Sequence, residues 1–127
     1  MGVTKNMSKE NELLLAESVN GNVFTTPEVI RFIAQLASKE VEGVGDLSSK
    51  LVDLFTSKSK HVSVEAHEDL LKIEVSISVF HGYKAIDVAR KVQFAISEAL
   101  KINFELEDVH VDVVIKESII PPSFGEE

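Results

Sequence analysis

From Leu71 to Val79 the chain alternates without a break. Leu71, Ile73, Val75, Ile77 and Val79 occupy one set of positions, and Lys72, Glu74, Ser76 and Ser78 occupy the other. Side chains of a strand point to its two faces in turn, so this pattern predicts a strand with one dry face and one wet face. After His81-Gly82-Tyr83 the period lengthens to about 3.6 residues, with Ala85, Ala89, Val92, Ile96 and Ala99 in one stripe. The spacing predicts a long helix, ending near Leu100, that folds back over its own strand.

The remaining elements are read around this pair. Val23-Phe24-Thr25 predicts a short strand that leads into a helix, with Pro27 at the first helical position and either Thr26 as cap or Thr25 in a capping box with Glu28. This helix should run to about Glu40, with Gly43 as a left-handed stop. Its polar residues Glu28, Arg31, Gln35, Ser38 and Lys39 form a narrow stripe. The rest of its circumference is apolar, with Ile30, Ile33, Ala34 and Ala37 on one side and Val29, Phe32 and Leu36 on another. That surface is wider than one sheet contact requires. Leu47, Leu51, Leu54 and Phe55 sit at helical spacing behind Asp46 and predict a short helix that covers part of the excess. A polar loop, Thr56 to Lys60, precedes a second strand carrying Val62, Val64 and Ala66. A turn at His67-Glu68-Asp69 makes that strand the antiparallel partner of the long one. The last strand spans Val109 to Ile115, with Val109, Val111, Val113 and Ile115 inward and His110 and Asp112 outward.

The order is β-α-β-β-α-β. It predicts an α+β two-layer sandwich with two main helices on one face of a mostly antiparallel sheet. A ferredoxin-like path is the natural candidate, and the strand order stays open because the first strand is short. Residues 1–21 are expected to be a flexible arm, 22–116 a single domain, and 117–127 a tail broken by Pro121-Pro122.

Composition narrows the function classes. With 127 residues, 44% of them hydrophobic and 27% charged, the chain has enough apolar material for one core. Thirteen basic against 21 acidic residues give a net charge of −8, which disfavours nucleic acid and anionic lipid as partners. There is no cysteine, and therefore no disulfide, thiolate metal site or cysteine nucleophile. No apolar run approaches the ~20 residues of a membrane span, and the first residues lack the apolar core of a signal peptide. Cytoplasmic localisation without direct membrane insertion is the expectation.

Three stretches carry a family likeness. They are Thr26-Pro27-Glu28-Val29-Ile30 continuing to Glu40-Val41-Glu42-Gly43-Val44, then Gly82 into Ile86-Asp87-Val88-Ala89-Arg90-Lys91-Val92-Gln93, and finally Val109-His110-Val111-Asp112-Val113. Together, over roughly Val23 to Ile115, they resemble the alkaline shock protein family. The resemblance implies a small bacterial, mainly Gram-positive, cytoplasmic protein linked to cell-envelope and alkaline stress. Some such proteins are held near the membrane by a membrane-anchored partner. It brings no catalytic residues and no cofactor. Two positions depart from the family's pattern. His81 stands where an aromatic residue usually precedes the glycine, and Asn103 stands where a glycine usually follows the second helix. Asn tolerates the left-handed conformation, so Asn103 is the expected stop.

Candidate chemistry is sparse. His61, His67 and His110 lack zinc-ligand spacing, and no metal site is expected from them. His81, at the mouth of the second helix, is the best lone candidate for anion contact, but without a phosphate-cradling glycine run a tight connecting turn explains it better. Glu65, Glu74 and Asp112 share the wet sheet face, where solvation accounts for them without acid–base chemistry. No Gly-x-Ser-x-Gly elbow, Walker loop or exposed aromatic RNA-binding sheet is present. One position breaks its local rule. Phe94 lies within about 40° of Asp87, Glu98 and Lys101 on the helical projection, inside a polar stripe that also holds Lys91.

Two function classes follow. The first is a non-enzymatic adaptor or scaffold in the envelope stress response. It would work by contact with a membrane-anchored protein partner or with itself, through Phe94, Asp87, Lys91 and Glu98 and through Val29, Phe32 and Leu36. The alternative is a small-ligand-binding regulatory domain of ferredoxin-like type with a pocket near His81 and Tyr83.

Overall fold

The computed structural model describes residues 4–5, 12–45, 61–67 and 70–120. The segment read as a short helix, Leu47 to Phe55, lies outside the described residues. So do Glu68 and Asp69 of the expected turn and the proline pair of the tail.

The elements are β1 (Thr4–Lys5), β2 (Leu13–Ser18), β3 (Gly21–Thr25), α1 (Pro27–Lys39), β4 (Val62–His67), β5 (Leu70–Phe80), α2 (Ala85–Phe104) and β6 (Val109–Ile119). From β3 onward this is the expected β-α-β-β-α-β order. The strands fall into two three-stranded sheets, β1-β2-β3 and β4-β5-β6, and of the four pairings only β5 with β6 is parallel. That parallel pair is joined by α2, the crossover that parallel neighbours require. β3 therefore belongs to a separate hairpin sheet and does not enter the sheet formed by β5 and β6.

β5 is the centre of the core. Its dry face is buried completely, with Leu71, Ile73 and Val75 at 0% exposure, Ile77 at 1% and Val79 at 2%. Each such side chain contributes about 1.5–3 kcal/mol by leaving water. β4 sets Val62 opposite Val75 and Val64 opposite Ile73, and β6 sets Val109, Val111 and Val113 beside Leu71, Ile73 and Val75. Val88, Val92, Ile96 and Leu100 of α2 close the core from above. Beyond β4, Val44 bridges to Val79, Gly45 N–H donates to Ser78 O at 2.6 Å, and Phe80 N–H donates to Gly43 O at 2.8 Å. These bonds extend the same edge along β5.

Several boundaries differ from the sequence reading. Residues 13–18, expected within a flexible arm, form a strand paired with β3, and Leu13 is core at 2% exposure. The turn that makes this possible uses Gly21 at φ +130°, with Ser18 Oγ donating to Gly21 O at 3.0 Å. At the other end β6 runs to Ile119 instead of stopping at Ile115. A bulge at Lys116, where Ile77 and Ser78 pair with Ile115 and Glu117, inserts one residue and exchanges the faces. The inward alternation therefore shifts by one residue after Ile115, which is still in register with Ile77 and is 37% exposed.

The helix ends also differ. α1 is capped by Thr26, which accepts from Val29 N–H at 3.4 Å, and it ends at Lys39. Gly43 is left-handed at φ +100° as expected, but it lies in the turn beyond the helix. α2 continues past Asn103, whose side chain donates to Ala99 O at 2.7 Å, and the left-handed residue is Glu105 at φ 59°. Glu105 N–H donates to Lys101 O at 2.8 Å and Leu106 N–H to Leu100 O at 3.4 Å, and Leu106 is buried beneath the turn.

Candidate functional site

α1 buries the apolar side that holds Ile30, Ile33, Ala34 and Ala37, and part of its polar stripe goes in with it. Two members of its supposed solvent stripe are core residues, Gln35 at 1% and Ser38 at 0% exposure. A third, Arg31, donates from Nε to Val62 O at 3.2 Å, which draws that stripe against β4. Ser38 Oγ satisfies itself by donating to Ala34 O at 2.8 Å. A helix that buries one side shows the opposite one. On that opposite side lie Val29, 42% exposed, and the half-buried Phe32 and Leu36. The sequence had marked these three as contact residues; of them Val29 is exposed, while Phe32 and Leu36 are half-buried. The polar stripe was misread because a hydrogen bond to the helix backbone lets Ser38 face inward with its hydroxyl satisfied, and the bond from Arg31 Nε to Val62 O draws that side chain against β4.

α2 has the opposite balance. Phe94 is 67% exposed, with Asp87, Lys91 and Lys101 exposed beside it and Glu98 half-buried. α1 and α2 pack against each other, so Val29, Phe32 and Leu36 and the stripe around Phe94 belong to one helical layer. Ile86 at 59% and Ile102 at 75% exposure flank that stripe, and sequence reasoning passed over both. Their signal was available: each falls outside the Val88-Val92-Ile96-Leu100 seam that fills the core.

The wet sheet face gathers Glu65, Glu74 and Asp112 as expected. Glu65, Lys72 and His110 form one cross-strand row, and Ser63, Glu74 and Asp112 form the next. Lys72 stands opposite Glu65, a stabilising pair, whereas Glu74 and Asp112 are neighbours of like charge on adjacent strands. His67 meets Glu65 at 3.4 Å and His110 meets Asp112 at 2.9 Å, both in exposed positions. A depression of about 80 Å³ between Ser63, Glu65, Lys72 and Glu74 is the concavity here. Among the described residues no group of three or more His, Asp or Glu side chains is arranged to hold a metal ion.

His81 is a turn residue whose N–H donates to Ile119 O at 2.6 Å. Its neighbour Tyr83 donates from its hydroxyl to Glu42 Oε2 at 3.1 Å. The carboxylate acceptor, with its negative charge, raises the Tyr83 pKa above the ordinary value near 10. A cleft of about 360 Å³ opens between the β2–β3 hairpin and the end of α2, lined by Leu15, Ala16, Lys101, Glu105 and Glu107. It could not be anticipated while residues 12–20 were read as an arm. No helix among the described residues is long and apolar enough to cross a membrane.

The structure thus defines a two-layer α+β protein. Residues 16–120 match the sequence profile of the alkaline shock protein family, which is described as having a cell envelope-related function, and the chain belongs to that family. It is similar to the uncharacterized protein YqhY of Bacillus subtilis (strain 168), with 30% identity over 117 residues that cover 84% of this chain and 87% of that one. Among solved structures it is similar to a MamM CTD in a nickel form, at 16% identity and a TM-score of 0.43, covering 71% of this chain and 99% of that one. A second MamM CTD matches at 16% identity and 0.43, over 70% and 98%. A likeness at that level carries no functional argument.

Proposed function

We propose that this protein is a non-enzymatic adaptor or scaffold in cell-envelope homeostasis and that it works by protein contact through its helical layer. The observation that carries the reading is the apolar surface that the helical layer shows to solvent, Phe94 at 67% and Val29 at 42% exposure. Apolar area left in water costs free energy, and a partner that covers it recovers part of that cost. Phe94 is the aromatic anchor of this surface, and the charges around it set the register of the partner. A membrane-anchored partner would hold the chain at the membrane without inserting it.

The experiment is a pull-down from cells with the parent chain and with the Phe94→Ser and Val29→Ser variants. A recurring membrane-anchored protein captured by the parent and lost by the variants supports the adaptor. Equal capture by all three, or a metabolite that raises the melting temperature while no protein recurs, overturns it in favour of a ligand-binding regulatory domain.

A further inference from the structure

We propose that the chain pairs with a second copy of itself, α2 antiparallel to α2 of the partner subunit, about a two-fold axis through Phe94. The inference rests on the helical layer being a contact surface and goes further by naming the occupant.

The argument is the charge order along the exposed stripe of α2. Asp87 and Lys101 each lie seven residues from Phe94, on opposite sides, and Lys91 and Glu98 lie three and four residues away. At 1.5 Å per residue these offsets are about 10 Å for the outer pair and about 5 and 6 Å for the inner pair. An antiparallel two-fold at Phe94 brings Asp87 against the partner's Lys101 and Lys91 against the partner's Glu98. Each contact occurs twice, and Phe94 meets its own copy on the axis. A parallel pair would instead set Asp87 on Asp87 and Lys91 on Lys91, which is repulsive.

For the inner pair flanks agree as well as heights, and Asp87 and Lys101 lie only about 20° to either side of Phe94, near the centre line. A two-fold normal to the plane of two antiparallel helices brings each flank against the same flank of its copy. Lys91 and Glu98 share one flank of the stripe by the roughly 100° step between helical residues. The flank on which α1 packs likewise meets its copy, which adds the exposed Val29 of α1 to the covered surface. α2, about 30 Å long, and α1, about 20 Å long, each about 10 Å wide, offer a footprint of roughly 500 Å² per copy. That is smaller than the ~800 Å² per partner of a standard interface and fits a modest, concentration-dependent dimer.

The chain has no cysteine, so an introduced one is unique. The full chain carrying Phe94→Cys is expected to form a disulfide-linked dimer under mild oxidation. Asp87→Cys alone should stay monomeric on a non-reducing gel, whereas a mixture of Asp87→Cys and Lys101→Cys chains cross-links. By light scattering and sedimentation, Asp87→Lys and Lys101→Asp should each weaken the dimer about tenfold, because two modest ion pairs become repulsions. The double variant D87K/K101D should restore it. A parent chain that is monomeric at every concentration, self-cross-linking of Asp87→Cys, or a double variant no better than the singles would overturn the pairing. A monomer that still captures a cellular partner through Phe94 would overturn the pairing and leave the adaptor reading standing.

Discussion

Tyr83 Oη donates to Glu42 Oε2 at 3.1 Å and ties the turn after α1 to the turn between β5 and α2. The two residues are 41 positions apart, so the bond joins segments that only the fold brings together. Tyr83 is the one tyrosine of the chain, and its ionisation can be followed directly by ultraviolet absorbance. Its midpoint is expected above 10, for the hydrogen bond to Glu42 and that group's negative charge both favour the protonated phenol. Glu42→Gln should bring the midpoint down toward the ordinary value. The sign for stability follows: a folded-state pKa above the unfolded one leaves the Tyr83 contribution intact below pH 10, and it is lost as pH rises beyond that value. A midpoint unchanged by Glu42→Gln would show that the bond does not persist in solution.

Gly43 sits beside this clasp at φ +100°. A Cβ there would stand 2.8 Å from Val88 Cγ2 and 3.0 Å from Tyr83 Cδ2. Gly43→Ala therefore combines a disfavoured backbone conformation with an overpacked contact and should cost about 2–3 kcal/mol in urea unfolding. An alanine variant as stable as the parent would refute the close approach of this turn to α2.

Glu105 holds the left-handed position after α2, where glycine is the residue without a steric penalty. Glu105→Gly should raise the unfolding free energy by up to about 1 kcal/mol and increase the melting temperature. Asn103→Gly, inside the helix, should lower it. The reverse ranking in calorimetry would place the end of the helix at Asn103.

Ile96 and Phe94 are two residues apart on α2 and differ completely in environment, at 0% and 67% exposure. Ile96→Ala should cost about 3 kcal/mol through lost burial and the cavity left behind. Phe94→Ser should stay within about 0.5 kcal/mol of the parent monomer. Urea unfolding of dilute protein, below the concentration at which copies associate, checks both values.

Much of the fold is written in local periodicity. The alternation in β5 set its dry face, and the change of period after Gly82 announced α2. The misplaced phenylalanine at position 94 was equally legible, since a single helix projection shows it among charges. These readings depend only on near neighbours in sequence, where backbone geometry alone dictates which side chains share a face.

What only the tertiary structure decided is which neighbour each face meets. Leu13 became core because β2 can pair with β3 across a turn at Gly21, a partnership that a short leucine run does not announce. α1 offered an apolar arc wider than one contact, and either side of it satisfied the pattern. Arg31 bonded to Val62 O and Ser38 bonded within the helix allowed the polar stripe to turn inward, and Val29 was left in solvent. Periodicity measures amphipathicity along one element, whereas orientation depends on hydrogen-bond partners and packing space that distant parts of the chain supply.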